Sequence, residues 1–384
     1  MKKIFIITIL ITSIFSLTAC SSQKKYIKYS IQLEDAFNTV NSVDVFTLGT
    51  RSQKELLQLA KELDNTLINL DMLFNVQDRH DGKTTQLMKV NQMSGIEPVS
   101  VDEEVISVIK KAIEMSEKSL IDKVALFDPT IAPVWDLWNF IDNQYNPLFD
   151  NRSIIPKIED INNALLLVDY KKIIIDDVKN TVFLPVSGMK IDLGAVVKGY
   201  AADKIKNHLI EKGYHKAVID IGRNILTLGS YFDKELNDKP WNIAIQTPYV
   251  FDSEDENVYF GTLKVTDMTL VTSGVYEKYI LDEEGNKYHH ILDPRTGLPF
   301  DNRVVSITVV TKESIDGDAY STTLFSLGLE KGMELINSTE GLDAVWVIDN
   351  NGINEVYISS GLEDNFQFNS SVENINYIYK GVYK

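Results

Sequence analysis

The chain of 384 residues is predicted to fold as a mixed α+β protein, in which mixed sheets with flanking helices form one large two-lobed domain. Three observations favour this class. Helical and strand-like segments are interleaved, and many strand-like runs follow one another as hairpin-like pairs, which a doubly wound parallel sheet does not do. No Pro/Gly/Ser-rich linker interrupts residues 34–384. A hydrophobic fraction of 44% is typical of a chain that buries a core.

The N-terminus has the pattern of a secretory signal. Lys2 and Lys3 precede an apolar run over residues 4–15, and the sequence Leu-Thr-Ala-Cys follows at 17–20. The run is too short to span a bilayer comfortably. Its end resembles the lipobox of bacterial lipoproteins, which predicts a signal peptide over 1–19, a lipidated (palmitate-bearing) Cys20 and a polar tether over 20–33. An ordinary cleaved signal and a short membrane anchor are the alternatives.

Composition restricts the partners. With 38 basic and 55 acidic residues, the formal net charge is −17. This charge argues against nucleic acid and against direct binding to anionic lipid, because both are polyanions. Cys20 is the only cysteine, so no disulfide can form within the chain.

The elements are predicted in the following order. Residues 52–74 place leucines on one face of a helix, and a capping box at Ser100–Glu103 opens a helix that runs towards 119. Further helices are predicted at 158–168, 195–211, 315–327 and 331–337. Strands are predicted at 172–176, 181–184, 215–219, 224–228, 241–246, 260–265, 303–310, 344–348 and 355–359. The stretches 141–153 and 251–257 are predicted surface loops.

Asp318 and Thr322 are the most informative pair. At the i, i+4 spacing of a helix, a carboxylate and a hydroxyl share one face and can reach the same cation. Oxygen ligands suit a hard divalent ion, which usually acts on a phosphate. The alternative is an acidic helix start in which Asp316 or Asp318 faces the helix dipole and Thr322 has no ligand role.

A second segment, residues 189–203, joins a strand to a helix through Asp192 and Gly194. A helix start with small residues offers free N–H groups to a phosphate, and Lys198 could neutralise an anion there. Tight strand–helix packing with a solvated Lys198 is the alternative.

Residues 127–138 contain two prolines and two tryptophans beside Asp128. Aromatic faces next to a carboxylate could orient a flat heterocycle. Alternatively, Trp135 and Trp138 fill the core behind a turn made rigid by proline.

Residues 288–299 place His289 and His290 beside an Asp-Pro-x-Thr-Gly turn. A histidine there could take a proton from a hydroxyl nucleophile. A ring that bonds a backbone carbonyl is the alternative, and it is favoured for His289.

Together these segments resemble the ApbE family of FAD:protein FMN transferases. The resemblance covers residues 34 to past 350, and its motifs are Phe-Asp-Pro-Thr (127–130), Asp-Leu-Gly-Ala-x-x-Lys-Gly-Tyr-Ala (192–201), Ser-Gly-x-Tyr-Glu (273–277), His-Ile-Leu-Asp-Pro-x-Thr-Gly (290–297) and Asp-Ala-x-x-Thr (318–322). It implies an ApbE-like catalytic domain over 34–384. It also implies an enzyme on the extracytoplasmic face of the cell membrane. This enzyme would use Mg²⁺ to move FMN from FAD onto a threonine hydroxyl, releasing AMP. The acceptors would be exported FMN-binding-domain proteins of electron-transfer systems.

The same resemblance implies the residue roles. The magnesium ligands would be the Ala195 carbonyl, Asp318 and Thr322, and His290 and Asp318 would lie at the reaction centre. The FAD contacts would be Phe37, Leu126, Phe127, Asp128, Asp192, Lys198 and Ile291. An FAD pyrophosphatase that gives FMN and AMP, and a non-catalytic flavin-binding lipoprotein, are the alternative functions.

The chain departs from the family pattern at two places. It has Ala-Leu-Phe-Asp at 125–128 where the family commonly has Gly-Ala-Phe-Asp, which predicts a bulkier wall beside the flavin. It has Arg223 in the sequence Gly-Arg-Asn where the family commonly has Gly-Gly-Asn. Arg223 could contact a phosphate, or it could simply occupy a looser turn. If that turn needs a positive φ at 223, the arginine is strained there.

Overall fold

The computed structural model describes residues 9–10, 26–77, 82–146, 152–248 and 258–384. The predicted signal peptide, apart from the backbone of residues 9–10, lies outside these ranges, as does the predicted lipidation site Cys20. The predicted loop 251–257 and part of the predicted loop 141–153 also lie outside them.

The described residues contain seven α-helices, named here in chain order. They are α1 (Gln53–Phe74), α2 (Gln86–Gln92), α3 (Glu103–Lys118), α4 (Ala132–Trp138), α5 (Ile158–Leu165), α6 (Val197–Glu211) and α7 (Ser314–Asn337). Helix α1 begins as the leucine pattern predicts, because Ser52 and Glu55 form a reciprocal capping box. The chain leaves α6 through Gly213, whose φ of 77° suits a helix C-cap.

The strands are β1 (Ile9–Leu10), β2 (Tyr26–Gln32), β3 (Asn41–Leu48), β4 (Val99–Ser100), β5 (Leu120–Ile121), β6 (Val124–Ala125), β7 (Ile174–Asp176), β8 (Thr181–Phe183), β9 (Ala217–Ile221), β10 (Asn224–Leu228), β11 (Tyr231–Phe232), β12 (Asp238–Lys239), β13 (Trp241–Gln246), β14 (Tyr259–Val265), β15 (Thr269–Gly274), β16 (Tyr279–Leu281), β17 (Lys287–His289), β18 (Val304–Thr311), β19 (Asp343–Asn350), β20 (Ile353–Ile358), β21 (Phe366–Phe368) and β22 (Tyr377–Val382). Ten of them form one sheet in the order β1-β2-β3-β9-β10-β15-β18-β19-β20-β22. All of its neighbouring strands are antiparallel except β20 and β22, which are parallel. The predicted mixed α+β class is therefore confirmed.

Both faces of the large sheet are covered. Helices α6 and α7 pack on one face, and the hairpin of β13 and β14 covers the other with a second apolar cluster that includes Trp241, Phe260 and Leu263. All eight residues of the central strand β18 are buried, which explains its nearly continuous run of β-branched residues. A third, smaller cluster around Trp138 and Phe140 joins α4 to α5.

Three local predictions differ from the structure. The capping box predicted at Ser100–Glu103 does not form, because Ser100 pairs with Thr181 in a sheet and Asp102 is the N-cap of α3. The two helices predicted at 315–327 and 331–337 are joined in α7 across a kink at Gly328, which has a φ of 77°. The segment predicted as a tether, 20–33, includes strand β2, in which Tyr29 and Ile31 are buried.

Candidate active site

One cavity of about 390 Å³ brings together segments that are far apart in sequence. Its walls come from the loop before β3, the loops around α4 and α6, the β9–β10 turn, the end of β15, the turn after β17, and α7. The cavity is lined by every predicted site residue of the folded domain, namely Phe37, Leu126, Phe127, Asp128, Asp192, Ala195, Lys198, His290, Ile291, Asp318 and Thr322. Their individual roles stay predictions.

The centre of the site is the crossing of α6 and α7. The Gly199 N–H donates to Asp318 Oδ2 at 3.0 Å, and the Asp318 side chain is buried. A Cβ added to Gly199 would lie 2.1 Å from the Ser314 carbonyl oxygen and 2.8 Å from Asp318 Cβ. Only glycine therefore allows the two helices to approach so closely, and this approach fixes the carboxylate of Asp318 at the start of α6.

A second contact fixes the beginning of α7. Its N-cap residue, Glu313, makes no side-chain cap. Instead, Asp203 on α6 accepts hydrogen bonds from the Ser314 and Ile315 N–H groups at 3.0 and 2.9 Å. Sequence reasoning missed Asp203, because a cap supplied by another helix leaves no local sequence pattern.

The oxygen atoms at this crossing suit a hard divalent cation. Because the Gly199 N–H bonds Asp318, no backbone N–H of the described residues donates to the Ala195 carbonyl. A cationic group already lies here, since Lys198 Nζ is 2.9 Å from the Gly194 carbonyl oxygen and 3.4 Å from Asp318 Oδ1. Thr322 lines the same cavity one turn after Asp318. The described residues hold no cluster of three His, Cys, Asp or Glu side chains suited to a metal, so any cation here would depend on mixed carbonyl, carboxylate and hydroxyl ligands.

Two further carboxylates shape the walls. Asp128 Oδ1 accepts from the Thr130 N–H and hydroxyl, and Asp128 Oδ2 accepts from the Tyr170 N–H. Asp192 Oδ1 accepts from the Gly194 N–H at 2.6 Å, which closes the turn before α6. Burial raises the pKa of both carboxyl groups. These bonds hold the turns that form the cavity.

The two adjacent histidines differ. His289 is buried and its Nε2 lies 3.0 Å from the Phe300 carbonyl oxygen, while its Nδ1 accepts from the Ile291 N–H. Burial lowers the pKa of His289 to about 4. Its ring therefore has the structural role that the sequence favoured for it.

His290 lines the cavity. Its Nδ1 lies 3.1 Å from the Lys278 carbonyl oxygen, which can only accept, so Nδ1 carries the proton and Nε2 has a free lone pair. Burial, followed by the positive charge of Lys278, lowers the pKa of His290 to about 3. The imidazole is therefore neutral near pH 7, and Nε2 can accept a hydrogen bond.

Two charged residues of the cavity, Glu277 and Lys278, were not predicted as site residues, whereas Arg223, which also lines it, was noted in the sequence as a possible phosphate contact. Arg223 Nη1 lies 3.8 Å from Glu277 Oε1, and that buried oxygen accepts no hydrogen bond among the described residues. Burial raises the pKa of Glu277 and lowers that of Lys278. Glu277 ends a motif noted in the sequence, but nothing local indicated that its carboxylate would face the cavity.

The aromatic residues of 127–138 divide between core and cavity. Trp138 is buried, stacks on Phe140 and donates from Nε1 to the Gly297 carbonyl at 3.0 Å, which matches the core alternative. Trp135 is half-buried and lines the cavity, as does Phe127. Leu126 is buried in the cavity wall, where its isobutyl group adds the bulk that the sequence predicted.

Comparisons with known proteins show which sequences this chain resembles. A family model described as the ApbE family matches residues 29–346. A protein of Klebsiella pneumoniae named FAD:protein FMN transferase is 35% identical over 271 residues, which are 70% of this chain and 77% of that protein. A protein of Treponema pallidum with the same name is 29% identical over 93% of this chain and 94% of its own length.

Solved structures show the same fold. The flavin transferase ApbE from Vibrio cholerae superposes with a TM-score of 0.71 at 24% identity, covering 89% of this chain and 99% of that one. The ApbE protein from Thermotoga maritima gives a TM-score of 0.66 at 26% identity, covering 91% of this chain and 99% of that one. Separately, none of the helices in the described ranges has the length and apolar character needed to cross a membrane.

Proposed function

Because the chain belongs to the ApbE family, we propose that it transfers FMN from FAD to a threonine hydroxyl of an exported acceptor protein and releases AMP. The observation that carries the proposal is the crossing at which Asp318 of α7 accepts the Gly199 N–H of α6. This crossing places the carboxylate beside Lys198 and the first turn of α6, in a cavity bordered by aromatic side chains.

The charges of the cavity support a role for Mg²⁺. The lining carries the carboxylates of Asp128, Asp192, Glu277 and Asp318 against the cationic side chains of Lys198, Arg223 and Lys278. A diphosphate would add negative charge to a cavity that already has one more carboxylate than cations. Mg²⁺ held by the Ala195 carbonyl, Asp318 and Thr322 would offset the charge on the phosphate oxygens.

The proposed step is one displacement at phosphorus. The threonine oxygen forms a bond to the phosphorus of the FMN half, and the bond from that phosphorus to the bridging oxygen breaks. The bridging oxygen leaves as part of AMP, and the hydroxyl proton passes to a base or to solvent. Lys198, beside Asp318, is placed to balance negative charge on the phosphate groups.

His290 would orient the attacking hydroxyl. Its Nδ1–H is held by the Lys278 carbonyl, so Nε2 is available as an acceptor. A pKa of about 3 makes Nε2 a weak base, so we assign it the alignment of the hydroxyl rather than storage of its proton.

The test compares two aspartates of one helix. In Asp318→Asn the amide oxygen can still accept the Gly199 N–H, but the charge that holds a divalent cation is lost. Asp316→Asn is the matched control, because Asp316 is half-exposed and pairs with Lys111 at 3.0 Å outside the cavity. Full-length protein in detergent is incubated with FAD, Mg²⁺ and an FMN-binding acceptor domain, and flavin fluorescence of the acceptor and AMP are measured.

We expect Asp318→Asn to lose at least about 100-fold in transfer rate and Asp316→Asn to stay near wild type. An Asp318→Asn protein with full activity would contradict the cation assignment. AMP without labelled acceptor would indicate the FAD pyrophosphatase, and FAD binding without AMP would indicate a flavin-binding lipoprotein.

We further propose that a lipid on Cys20 anchors the protein on the extracytoplasmic face of the cell membrane. The support is the signal and lipobox pattern at residues 1–20. Replacing Cys20 by serine should release the protein from the membrane fraction and abolish labelling with a palmitate analogue. Retention of both properties would contradict the anchor.

A further inference from the structure

The rim of the cavity is built from residues with left-handed backbone conformations. Phe37 and Asn38 have φ values of 55° and 53°, and in the neighbouring turn Gly222 and Arg223 have values of 58° and 71°. The loop that contains the first pair contacts the second pair, because the Gly222 N–H donates to the Val40 carbonyl and a Cβ on Gly222 would lie 2.6 Å from Thr39 Cγ2. The turn between β9 and β10 therefore requires a positive φ at two successive residues.

Glycine would adopt this conformation at no steric cost, whereas an arginine is strained in it. The backbone is kept in place because the Arg223 N–H donates to Asp220 Oδ1 at 2.8 Å. The conformation directs the arginine side chain into the lining of the cavity, where 47% of it remains exposed. Strained residues of this kind are found at ligand-binding positions.

The guanidinium has unused donors. Glu277 Oε1, a buried oxygen, lies 3.8 Å from Arg223 Nη1, which is too far for a hydrogen bond. Asp220, which accepts the Arg223 backbone N–H, also attracts the guanidinium through its charge. Glu277 thus keeps the guanidinium turned inward by charge without occupying its five N–H groups. The N–H groups of a planar guanidinium in this position can donate two parallel hydrogen bonds to two oxygens of one phosphate.

We infer that Arg223 is a phosphate-binding residue of this cavity and that Glu277 is the residue that positions it. The inference rests on the proposed function, since the anion is a phosphate group of the bound flavin nucleotide. It adds a second cationic phosphate contact to that of Lys198 in the same cavity, at a position where the sequence departs from the family pattern.

The test measures equilibrium binding by quenching of flavin fluorescence, with full-length protein in detergent and no acceptor. FAD is compared with riboflavin, which carries the same ring but no phosphate, both with Mg²⁺ and with EDTA. The variants are Arg223→Gly, Arg223→Lys and Glu277→Gln. The matched control is Arg303→Gly, because Arg303 also has a left-handed φ of 62° but is exposed and does not line the cavity.

Arg223→Gly should weaken FAD binding about tenfold or more and leave riboflavin binding unchanged, because only the phosphate contact is lost. Arg223→Lys should retain part of the affinity, and Glu277→Gln should weaken FAD binding by a smaller factor. Both glycine variants should raise the melting temperature by roughly 1–3 °C, since each relieves a strained φ. Arg303→Gly should bind FAD as wild type does.

Wild-type FAD affinity in Arg223→Gly would overturn the inference, as would an equal loss for FAD and riboflavin. Unchanged FAD affinity, together with a raised KM for the acceptor when the same variant is measured in the transfer assay, would assign Arg223 to the acceptor protein and overturn the phosphate assignment. A wild-type protein that binds neither flavin would overturn the proposed function together with the inference.

Discussion

At the scale of single residues, His289 and His290 show how the environment decides a role. They are neighbours in sequence, yet both ring nitrogens of His289 are used by the backbone, whereas Nε2 of His290 is left for a ligand. The sequence predicted this division because a histidine at a strand end commonly bonds a carbonyl. It could not predict that the Lys278 carbonyl would orient His290, since that bond joins the residue after β17 to the residue before β16.

The buried His289 predicts acid sensitivity. Burial lowers its pKa from 6.5 to about 4, so below pH 6.5 the unfolded chain binds a proton that the folded protein does not. The contribution of His289 to stability is therefore complete above pH 6.5 and is lost as pH falls towards 4. Between pH 7 and pH 5 this loss amounts to about 2 kcal/mol.

Replacing His289 by glutamine should remove that share of the pH dependence. The free energy of unfolding is measured by urea titration at pH 7 and at pH 5. Its decrease from pH 7 to pH 5 should be about 2 kcal/mol smaller for His289→Gln than for wild type. His215→Gln, at an exposed position, is the control, and its free energy of unfolding should decrease between pH 7 and pH 5 as much as that of wild type. An equal decrease in the free energy of unfolding for His289→Gln and wild type would show that His289 titrates normally in the folded protein.

At the scale of elements, the strands and helices were largely predictable, and their mutual contacts were not. The hydrophobic pattern located α1, β10 and β13 closely, because α1 and β13 each bury one regular face and β10 is a short run in which four of five residues are buried. The pairing of Gly199 with Asp318 joins residues 119 positions apart. Neither helix has a sequence pattern that indicates contact with the other. The resemblance therefore predicted Asp318 as a site residue, but only the fold shows the contact that fixes its carboxylate.

The close crossing of α6 and α7 predicts an unusual response to Gly199→Ala. In a free helix this change stabilises by about 1 kcal/mol. Here the new methyl group would meet the Ser314 carbonyl at 2.1 Å, so we expect destabilisation by about 2 kcal/mol and displacement of the Asp318 carboxylate.

Thermal unfolding and flavin transfer should both report this change. Asn207→Ala, on the exposed side of the same helix, is the control and should leave both measurements near wild type. A Gly199→Ala protein more stable than wild type would mean that the helices can separate without cost, and the tight crossing would not be what positions Asp318.

At the scale of the whole molecule, the large sheet determines where the folded domain begins. The sequence placed that boundary at residue 34, because the preceding residues include a polar stretch after Cys20. In the structure β2 pairs with β3 over seven residues, and the Tyr29 and Ile31 side chains are 3% and 1% exposed. A short strand next to a polar segment gives a weak sequence signal, and its burial depends on helices contributed by the rest of the chain.

This boundary can be tested with two truncations. A chain that begins at Ser21 retains β2, whereas a chain that begins at Glu34 removes it and exposes the backbone edge of β3. Loss of the three buried side chains of Tyr29, Ile31 and Leu33 and of the strand pairing should lower the free energy of unfolding by at least about 4 kcal/mol in the shorter chain. The unpaired edge should also promote association, which light scattering would detect. If the chain from Glu34 unfolds at the same urea concentration as the chain from Ser21 and stays monomeric, then β2 does not contribute to the stability of the folded domain.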